Sequence, residues 1–181
     1  MINELLKDAQ DKMDQAVEHT IGEFGGIRTG RANAGILSRV TVEYYGTQTP
    51  LQQLASFTVP EARMLIVQPF DKTSIPAIER GIQQADLGLN PSNDGNIIRL
   101  AFPTLTEERR HELVKVVRSL AEEGRIAIRN VRRHVKDAIE AEDISEDDIH
   151  RAEKELQVLT DKHTEAIDAA LARKEEELLE V

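Results

Sequence analysis

The chain of 181 residues carries 33 acidic and 23 basic side chains, so its formal net charge is -10. It contains no cysteine, which excludes a disulfide framework, a zinc site built on thiolates and a cysteine nucleophile. No stretch approaches the roughly 20 apolar residues needed to span a bilayer, and the charged start MINELLKDAQDKMDQ argues against a signal peptide.

Residues 2 to about 28 have the spacing of an amphipathic helix. Their apolar side chains recur at intervals of three and four, which places them in one stripe along a helix. The stripe consists of Ile2, Leu5, Ala9, Met13, Ala16, Val17, Thr20, Ile21, Phe24 and Ile27. Gly22, Gly25 and Gly26 each weaken the last turns by up to about 1 kcal/mol relative to alanine.

The middle of the chain, residues 30–105, is predicted to be an inserted β/α domain. All six prolines and five of the six aromatic residues fall between positions 44 and 103. Proline interrupts helices, whereas aromatic and β-branched residues favour strands. The patterns predict strands at 39–44, 64–67 and 96–101, and a helix at 74–85 with Pro76 in its first turn.

Two further long helices are predicted after the inserted domain. Thr106 can cap the first, because its hydroxyl can accept from a free backbone N–H and acidic residues follow it. The apolar stripe of this helix runs through Leu113, Val116, Val117, Leu120, Ile128, Val131, Val135 and Ile139. Ser145 and Asp148 have the Ser-x-x-acid spacing that caps the last helix. The stripe of the last helix is Ile149, Ala152, Leu156, Leu159, Ala166, Ile167, Ala170, Leu171 and Leu178.

Three long helices, each with one apolar stripe, bury those stripes best against one another. The predicted fold is therefore α+β: an elongated three-helix bundle of residues 1–29 and 106–181, with residues 30–105 inserted as a small β/α domain. The chain leaves the bundle near Gly30 and returns near Thr104. Two close crossings of this kind favour a hinge, because few contacts need to cross between the domains.

Residues 125–136, RIAIRNVRRHVK, concentrate five basic side chains and no acidic one. On a helix at about 100° per residue, the basic side chains fall within an arc of about 100°, separate from the apolar stripe. Residues 1–139 carry 18 basic and 18 acidic side chains, whereas residues 140–181 carry 5 and 15. The acidity therefore lies in the last segment, and the rest can present a basic surface. The residues of this basic arc are Arg125, Arg129, Arg132, Arg133 and Lys136.

Two interpretations of the basic arc are open. In the first, it is a solvated face that pairs with acidic residues of the last helix, which is the usual role of a charge run. In the second, it binds a polyanion, which we take to be RNA backbone, because the guanidinium fork suits phosphate. The arc is centred about 110° from the core direction, which argues against pairing with a neighbouring helix. Arg28, Arg31 and Arg110 lie near the two crossings and can extend an RNA-binding surface.

The sequence contains no catalytic pattern. Its five histidines form no metal-binding pair, no glycine-rich loop follows a strand, and no serine lies in a nucleophile elbow. We therefore expect no catalytic residue, no metal and no cofactor. An enzyme within the inserted domain remains an alternative, with Arg63, Asp71, Glu79 and Asp94 as its available polar residues. A helical nucleic-acid-binding or chaperone-like module is the other alternative.

Seven separate strings, taken in chain order, resemble the bacterial ribosome recycling factor family. The resemblance extends from Met1 to the Lys174-Glu-x-Glu-Leu end and is almost free of gaps. The strings are Ile27-Arg-Thr-Gly-Arg-Ala32, Val42-Glu-Tyr-Tyr-Gly46 with Thr49-Pro-Leu51, Gln53-Leu-Ala-Ser56, Asp86-Leu-Gly-Leu-Asn-Pro91, Leu105-Thr-Glu-Glu-Arg-Arg110, Arg129-Asn-Val-Arg-Arg133 and Ile144-Ser-Glu-Asp-Asp148.

The resemblance implies an L-shaped cytoplasmic monomer that enters the ribosome after termination and has no membrane association. Its bundle would lie against ribosomal RNA of the large subunit. Together with elongation factor G and GTP hydrolysis by that partner, it would separate the subunits and release them from mRNA, without being a catalyst itself. By the family pattern, Arg129, Arg132 and Arg133 carry the central RNA contact. The implied hinge residues are Gly30, Arg31, Pro103, Thr104 and Leu105.

Overall fold

The computed structural model describes residues 1–180, and these form four α-helices and six β-strands. The helices are α1 (Ile2–Gly25), α2 (Ile75–Gln84), α3 (Glu107–Glu140) and α4 (Glu146–Leu179). The strands are β1 (Thr41–Tyr44), β2 (Thr47–Pro50), β3 (Ala55–Glu61), β4 (Met64–Pro69), β5 (Pro91–Asn93) and β6 (Ile98–Ala101). The predicted α+β class is confirmed. None of the helices in residues 1–180 has the length and apolarity that crossing a membrane requires.

The chain divides into two compact units. Within the described residues, the first comprises residues 1–24 and 114–176, and the second comprises residues 25–113 and 177–180. The domain limits and the hinge inferred from the sequence stay predictions. All the predicted hinge residues lie inside the second unit: Gly30, Arg31, Pro103, Thr104 and Leu105.

The first unit is built from α1, α3 and α4, which bury their apolar stripes. Met13, Ile128 and Leu156 are among its fully buried side chains, one from each helix. The helices approach closely at Gly124 on α3, where a Cβ would lie 2.3 Å from Thr20 Oγ1 of α1 and 2.9 Å from a methyl of α4. The three predicted long helices are therefore confirmed.

Some details of these helices differ from the prediction. Three predicted stripe residues are exposed, because consecutive helical residues point about 100° apart and a neighbour of each occupies the core position. These are Ile21, Val116 and Ala166, whose buried neighbours are Thr20, Val117 and Ile167. The expected extension of the first helix to about Arg28 is also wrong. Helix α1 ends at Gly25, in the segment that its glycines weaken.

The two predicted N-terminal caps are confirmed. The Thr106 hydroxyl accepts a hydrogen bond from the backbone N–H of Arg109 at 3.1 Å. At the start of α4, the backbone N–H of Asp148 donates to Ser145 Oγ at 3.1 Å, and the Ser145 hydroxyl donates to Asp148 Oδ2 at 2.8 Å. Each cap satisfies an N–H group that the helix itself leaves without a partner.

The second unit contains a four-stranded antiparallel sheet in the order β3-β4-β6-β5 and a separate β1–β2 hairpin. Helix α2 packs on β1 so closely that a Cβ on Gly81 would lie 2.9 Å from the Thr41 carbonyl oxygen. The predicted helix 74–85 and the predicted strands 39–44, 64–67 and 96–101 are confirmed as α2, β1, β4 and β6 with slightly different limits. Strands β2, β3 and β5 were not predicted.

Candidate nucleic-acid interface

The five residues of the basic arc all lie on α3, and we call them the basic face: Arg125, Arg129, Arg132, Arg133 and Lys136. On the core side of the same helical segment, Ile128 is 0% exposed and Val135 is 4% exposed. Packing therefore holds the backbone of this segment, and the basic face occupies the arc of the helix outside the core.

Two members of the basic face reach the last helix, contrary to the expectation from helix geometry. Arg125 Nη2 lies 2.7 Å from Asp168 Oδ1, and Arg132 Nη1 donates to Gln157 Oε1 at 3.1 Å. On the helical wheel these two arginines are the members of the arc nearest the apolar stripe. Their long side chains can therefore extend along the helix surface to α4. The expectation that the whole arc lies clear of the last helix is wrong at both positions.

Glu122, one turn before the basic face, pairs with two of its arginines. Its Oε1 lies 2.6 Å from Arg129 Nη2, and its Oε2 lies 3.2 Å from Arg125 Nη1. Hydrogen bonds from Arg129 and then from Arg125 lower the pKa of Glu122. Burial opposes the charge of Arg125, but its bonds to Asp168 and Glu122 raise its pKa overall. Internal carboxylates thus neutralise part of the predicted face.

Arg133 is the member that keeps its charge available. Its side chain is exposed and makes no hydrogen bond or ion pair with any residue among 1–180. Arg132, Arg133 and Lys136 line a cleft of about 550 Å³, which Lys154 of α4 also lines. Lys136 has an exposed partner, Glu140, at 3.6 Å, and such pairs contribute little.

Lys154 and His150 on α4 also line this cleft and were not predicted as RNA-binding residues. Both belong to the acidic last segment, so composition gave no reason to assign them to an RNA-binding surface. The useful signal is the sequence spacing of four between them, which places both on one side of α4. The cleft also contains carboxylates of both helices: Asp137, Glu140 and Glu153.

The other three predicted RNA-binding residues belong to the second unit and differ in their surroundings. Arg28 donates through Nη2 to the carbonyl oxygen of Pro103. Arg31 Nη2 lies 2.8 Å from Glu180 Oε1. Arg110 is half-buried, and its side chain has no hydrogen-bonding or ionic partner among residues 1–180.

The predicted hinge residues are held by several hydrogen bonds within the second unit. The Thr104 hydroxyl accepts from Arg63 Nη1, and Pro103 accepts from Arg28. Leu105 is 8% exposed. Gly30, Arg31, Thr104 and Leu105 line one cavity of about 170 Å³, together with Arg63, Arg110, Glu177 and Glu180.

The polar residues considered for an enzyme in the inserted domain serve separate local bonds. Asp71 accepts from the hydroxyl and backbone N–H of Thr73 and from the Tyr44 hydroxyl, and these bonds lower its pKa. Asp94 accepts from two backbone N–H groups of its own turn. Glu79 accepts from an amide side chain, and Arg63 donates to Thr104. Residues 1–180 contain no group of three or more histidines or carboxylates that could hold a metal ion.

Comparison with known proteins shows that the whole chain is similar in sequence to one family. The family model described as ribosome recycling factor matches residues 20–179. The ribosome-recycling factor of Thermobifida fusca is 57% identical, and that of Acidothermus cellulolyticus is 53% identical. The alignments cover 100% of this chain and 100% of both relatives.

Solved structures are similar to this chain in sequence and fold. A solution structure of a ribosome recycling factor aligns with a TM-score of 0.81 at 42% identity, covering 99% of this chain and 98% of that one. A second neighbour comes from models of the T. thermophilus ribosome recycling factor and the E. coli elongation factor G bound to the E. coli post-termination complex. It aligns with a TM-score of 0.72 at 43% identity, covering 99% of this chain and 100% of that one.

Proposed function

Because the chain belongs to the ribosome recycling factor family, we propose that it acts on the ribosome that remains after termination. It binds ribosomal RNA of the large subunit. With elongation factor G and GTP hydrolysis by that partner, it separates the subunits and frees them from mRNA. The relative from T. thermophilus supports this role, since it is described together with elongation factor G on a post-termination complex.

The RNA contact is made by the basic face, and the observation that carries this proposal is the unpaired, exposed Arg133 on a packed helix. A guanidinium without an internal partner can donate to a phosphate without breaking an existing bond. Arg132 bonds only the neutral Gln157, and Arg129 bonds only one exposed carboxylate, Glu122. Each can exchange this single bond for a phosphate when RNA approaches. Arg125 contributes least, because Asp168 and Glu122 already occupy its donors.

The acidic last segment restricts how the bundle approaches RNA. Residues 140–181 contain 15 acidic and 5 basic side chains, and phosphate is repelled by such a surface within about 10 Å at moderate salt. Only the side of the bundle that presents the basic face is therefore favourable for RNA. Repulsion from this segment helps to orient the protein on the large subunit, and Glu153 of the same segment limits binding within the cleft.

The bundle acts as a rigid anchor, and the chain is not an enzyme. It contributes no catalytic residue and needs no cofactor, because the energy of subunit separation comes from GTP hydrolysis by the partner factor. The bundle anchors the protein on the large subunit. The β/α domain moves at the hinge formed by Gly30, Arg31, Pro103, Thr104 and Leu105 when elongation factor G engages it. The protein works as a monomer in the cytoplasm.

The test is binding to isolated large ribosomal subunits as a function of salt. If every cation of the basic face except Arg125 meets a phosphate, four contacts predict a log–log slope of roughly -3 to -4 for the wild type. Arg133→Ala should weaken binding and flatten the slope by about one unit. The same variant should slow subunit separation by elongation factor G and GTP, followed by light scattering of post-termination complexes.

Arg173→Ala is the matched control. Arg173 is an exposed arginine of α4 in the first unit, outside the basic face and without a side-chain partner among residues 1–180. Its removal should leave both the affinity and the slope unchanged. Equal losses in Arg133→Ala and Arg173→Ala would show that binding depends on overall charge, and would contradict the assignment to the basic face.

A further inference from the structure

A cavity of about 370 Å³ in the second unit is lined by two arginines and one acidic residue. It is lined by Gly26, Ile27, Arg28, Ile36, Asp86, Leu87, Gly88, Leu105, Arg109 and Leu113. Arg28, Asp86 and Arg109 are its charged residues, so the lining carries a net charge of +1. Asp86 makes no side-chain hydrogen bond or ion pair with any residue among 1–180, so it does not neutralise either arginine directly.

Arg28 has two donor nitrogens without a partner, one of them buried. Its Nη2 donates to the Pro103 carbonyl, which fixes the guanidinium plane. Its Nε is buried and has no hydrogen-bond partner, and it is the one buried side-chain nitrogen or oxygen in residues 1–180 left in that state. Leaving a buried donor unpaired costs about 1–3 kcal/mol, and more when the group is charged. A ligand cannot reach Nε itself, because the atom is closed off. The other terminal nitrogen, Nη1, also has no hydrogen-bond partner among residues 1–180, and a Cβ on the lining residue Gly88 would lie 3.5 Å from it. A ligand in the cavity can accept from Nη1.

Arg109 lies on the first turn of α3 and adds a second guanidinium. Burial, and then repulsion from Arg109, lower the pKa of Arg28. The present partner of Arg109 is Glu112, at 2.8 Å, with both side chains more than half exposed. An exposed pair of this kind contributes at most about 1 kcal/mol. Arg109 can therefore turn towards an anion in the cavity at little cost.

We infer that Arg28 and Arg109 form a phosphate site that takes a backbone phosphodiester of the ribosomal RNA. This inference rests on the proposed function and adds a second RNA contact to the basic face. A phosphate offers several oxygens in the geometry that guanidinium donors match. One phosphodiester carries a single negative charge, which balances the net charge of the lining residues when Arg109 turns away from Glu112. Asp86 is an internal competitor that weakens the site.

The first experiment follows the arginine Nε–Hε signals of the full chain by nitrogen-15 NMR during titration with inorganic phosphate. Sodium chloride at matched ionic strength separates binding from screening. The Arg28 signal should shift and saturate with phosphate only. Arg109→Gln should weaken this binding roughly tenfold, as expected for the loss of one charge-assisted hydrogen bond. Asp86→Asn should tighten it several-fold.

Arg80→Gln is the control, because Arg80 is an exposed arginine of the second unit outside this cavity. Arg109 is substituted rather than Arg28, since Arg28 also bonds to Pro103 and its loss can disturb the fold. A titration without saturation, or equal weakening in Arg80→Gln and Arg109→Gln, overturns the site.

The second experiment distinguishes RNA phosphate from free phosphate. Arg109→Gln should flatten the salt dependence of large-subunit binding by about one unit, with Arg80→Gln unchanged. Phosphate binding with an unaltered slope in Arg109→Gln overturns the assignment to RNA and identifies a site for free phosphate. The proposed function fails separately. It is contradicted if large-subunit binding of the wild type does not depend on salt, or if Arg133→Ala binds as well as the wild type.

Discussion

His163 on α4 contacts Asp14 on α1, with the ring Nε2 at 2.6 Å from Asp14 Oδ1. The ring is 4% exposed, and its Nδ1 lies 2.6 Å from the Leu159 carbonyl oxygen. Both ring nitrogens therefore face oxygen acceptors inside the bundle. Because an unpaired buried polar group is costly, Asp14 stabilises the position of His163 and joins the first helix to the last.

Asp14→Ala should lower the free energy of unfolding by about 1–3 kcal/mol, because it leaves one nitrogen of the buried ring without a partner. Urea denaturation followed by circular dichroism measures the change. Asp11→Ala is the control, since Asp11 is an exposed acid of the same helix with no side-chain partner in residues 1–180. Both substitutions gain the same helix propensity. An equal effect of the two would contradict a structural role for the contact.

Gly124→Ala should destabilise the bundle even though alanine favours helices by about 1 kcal/mol over glycine. The new Cβ would lie 2.3 Å from Thr20 Oγ1 and 2.9 Å from Ile167 Cδ1, and overpacking of this kind costs about 1–3 kcal/mol. The Thr20 hydroxyl is buried and bonded to the Ala16 carbonyl, so it cannot simply rotate away. Urea midpoints of the variant and the wild type measure the difference.

Gly22→Ala provides the matched comparison for Gly124→Ala. A Cβ on Gly22 meets nothing within 4 Å, so this variant should be more stable than the wild type by up to about 1 kcal/mol. The double variant Thr20→Ala with Gly124→Ala should recover part of the stability that Gly124→Ala loses. The close-packing explanation is wrong if Gly124→Ala stabilises as Gly22→Ala does.

Asp71→Asn should reduce the acid sensitivity of the second unit. Hydrogen bonds from Thr73 and Tyr44 hold the pKa of Asp71 below its ordinary value of 3.8. A lowered folded-state pKa contributes stability that is present above pH 3.8 and is lost as the pH falls through the folded value. The wild type should therefore lose stability in that window. Asp71→Asn should be less stable at neutral pH, but its free energy of unfolding should depend less on pH.

The two tyrosines make this measurement specific, because Tyr44 and Tyr45 both lie in the second unit and the chain has no tryptophan. Tyrosine fluorescence during urea unfolding, repeated from neutral to acid pH, follows that unit. Glu43→Gln is the control, as Glu43 is exposed and its side chain has no partner in residues 1–180. Parallel pH profiles of the wild type and Asp71→Asn would exclude Asp71 as a source of acid sensitivity.

The long helices and their caps were predictable from sequence because their signals are local. Apolar spacing marks α1, α3 and α4, and Thr106 and Ser145 cap within their own turns. The missed strands lack such signals. Strands β3 and β5 contain Pro60 and Pro91, and both lie at the edges of the sheet, where proline is tolerated because no ladder hydrogen bond is lost. These segments are strands because they pair with β4 and β6, which their residue pattern does not indicate.

In the candidate site, too, local features were predictable from the sequence and contacts between helices were not. The angular positions of the five cations follow from helix geometry, and α3 carries them as predicted. The pairing of Arg125 with Asp168 does not follow from it, because the partner lies 43 positions away on another helix. Glu122 lies one turn before Arg125 on the same helix, so its pairing with arginines of the basic face could have been predicted from the sequence. Sequence thus locates a basic face, and packing decides which of its cations are available.

Arg125→Ala and Arg133→Ala should therefore have different effects on the bundle. Arg125 is only 23% exposed and bonds Asp168 and Glu122, so its loss should lower the free energy of unfolding by about 1 kcal/mol. Arg133→Ala removes no internal bond and should leave stability unchanged, while weakening large-subunit binding more than Arg125→Ala does. Thermal unfolding and subunit binding at one salt concentration measure both effects. If Arg125→Ala matched Arg133→Ala in both measurements, internal pairing would not govern which arginines meet RNA.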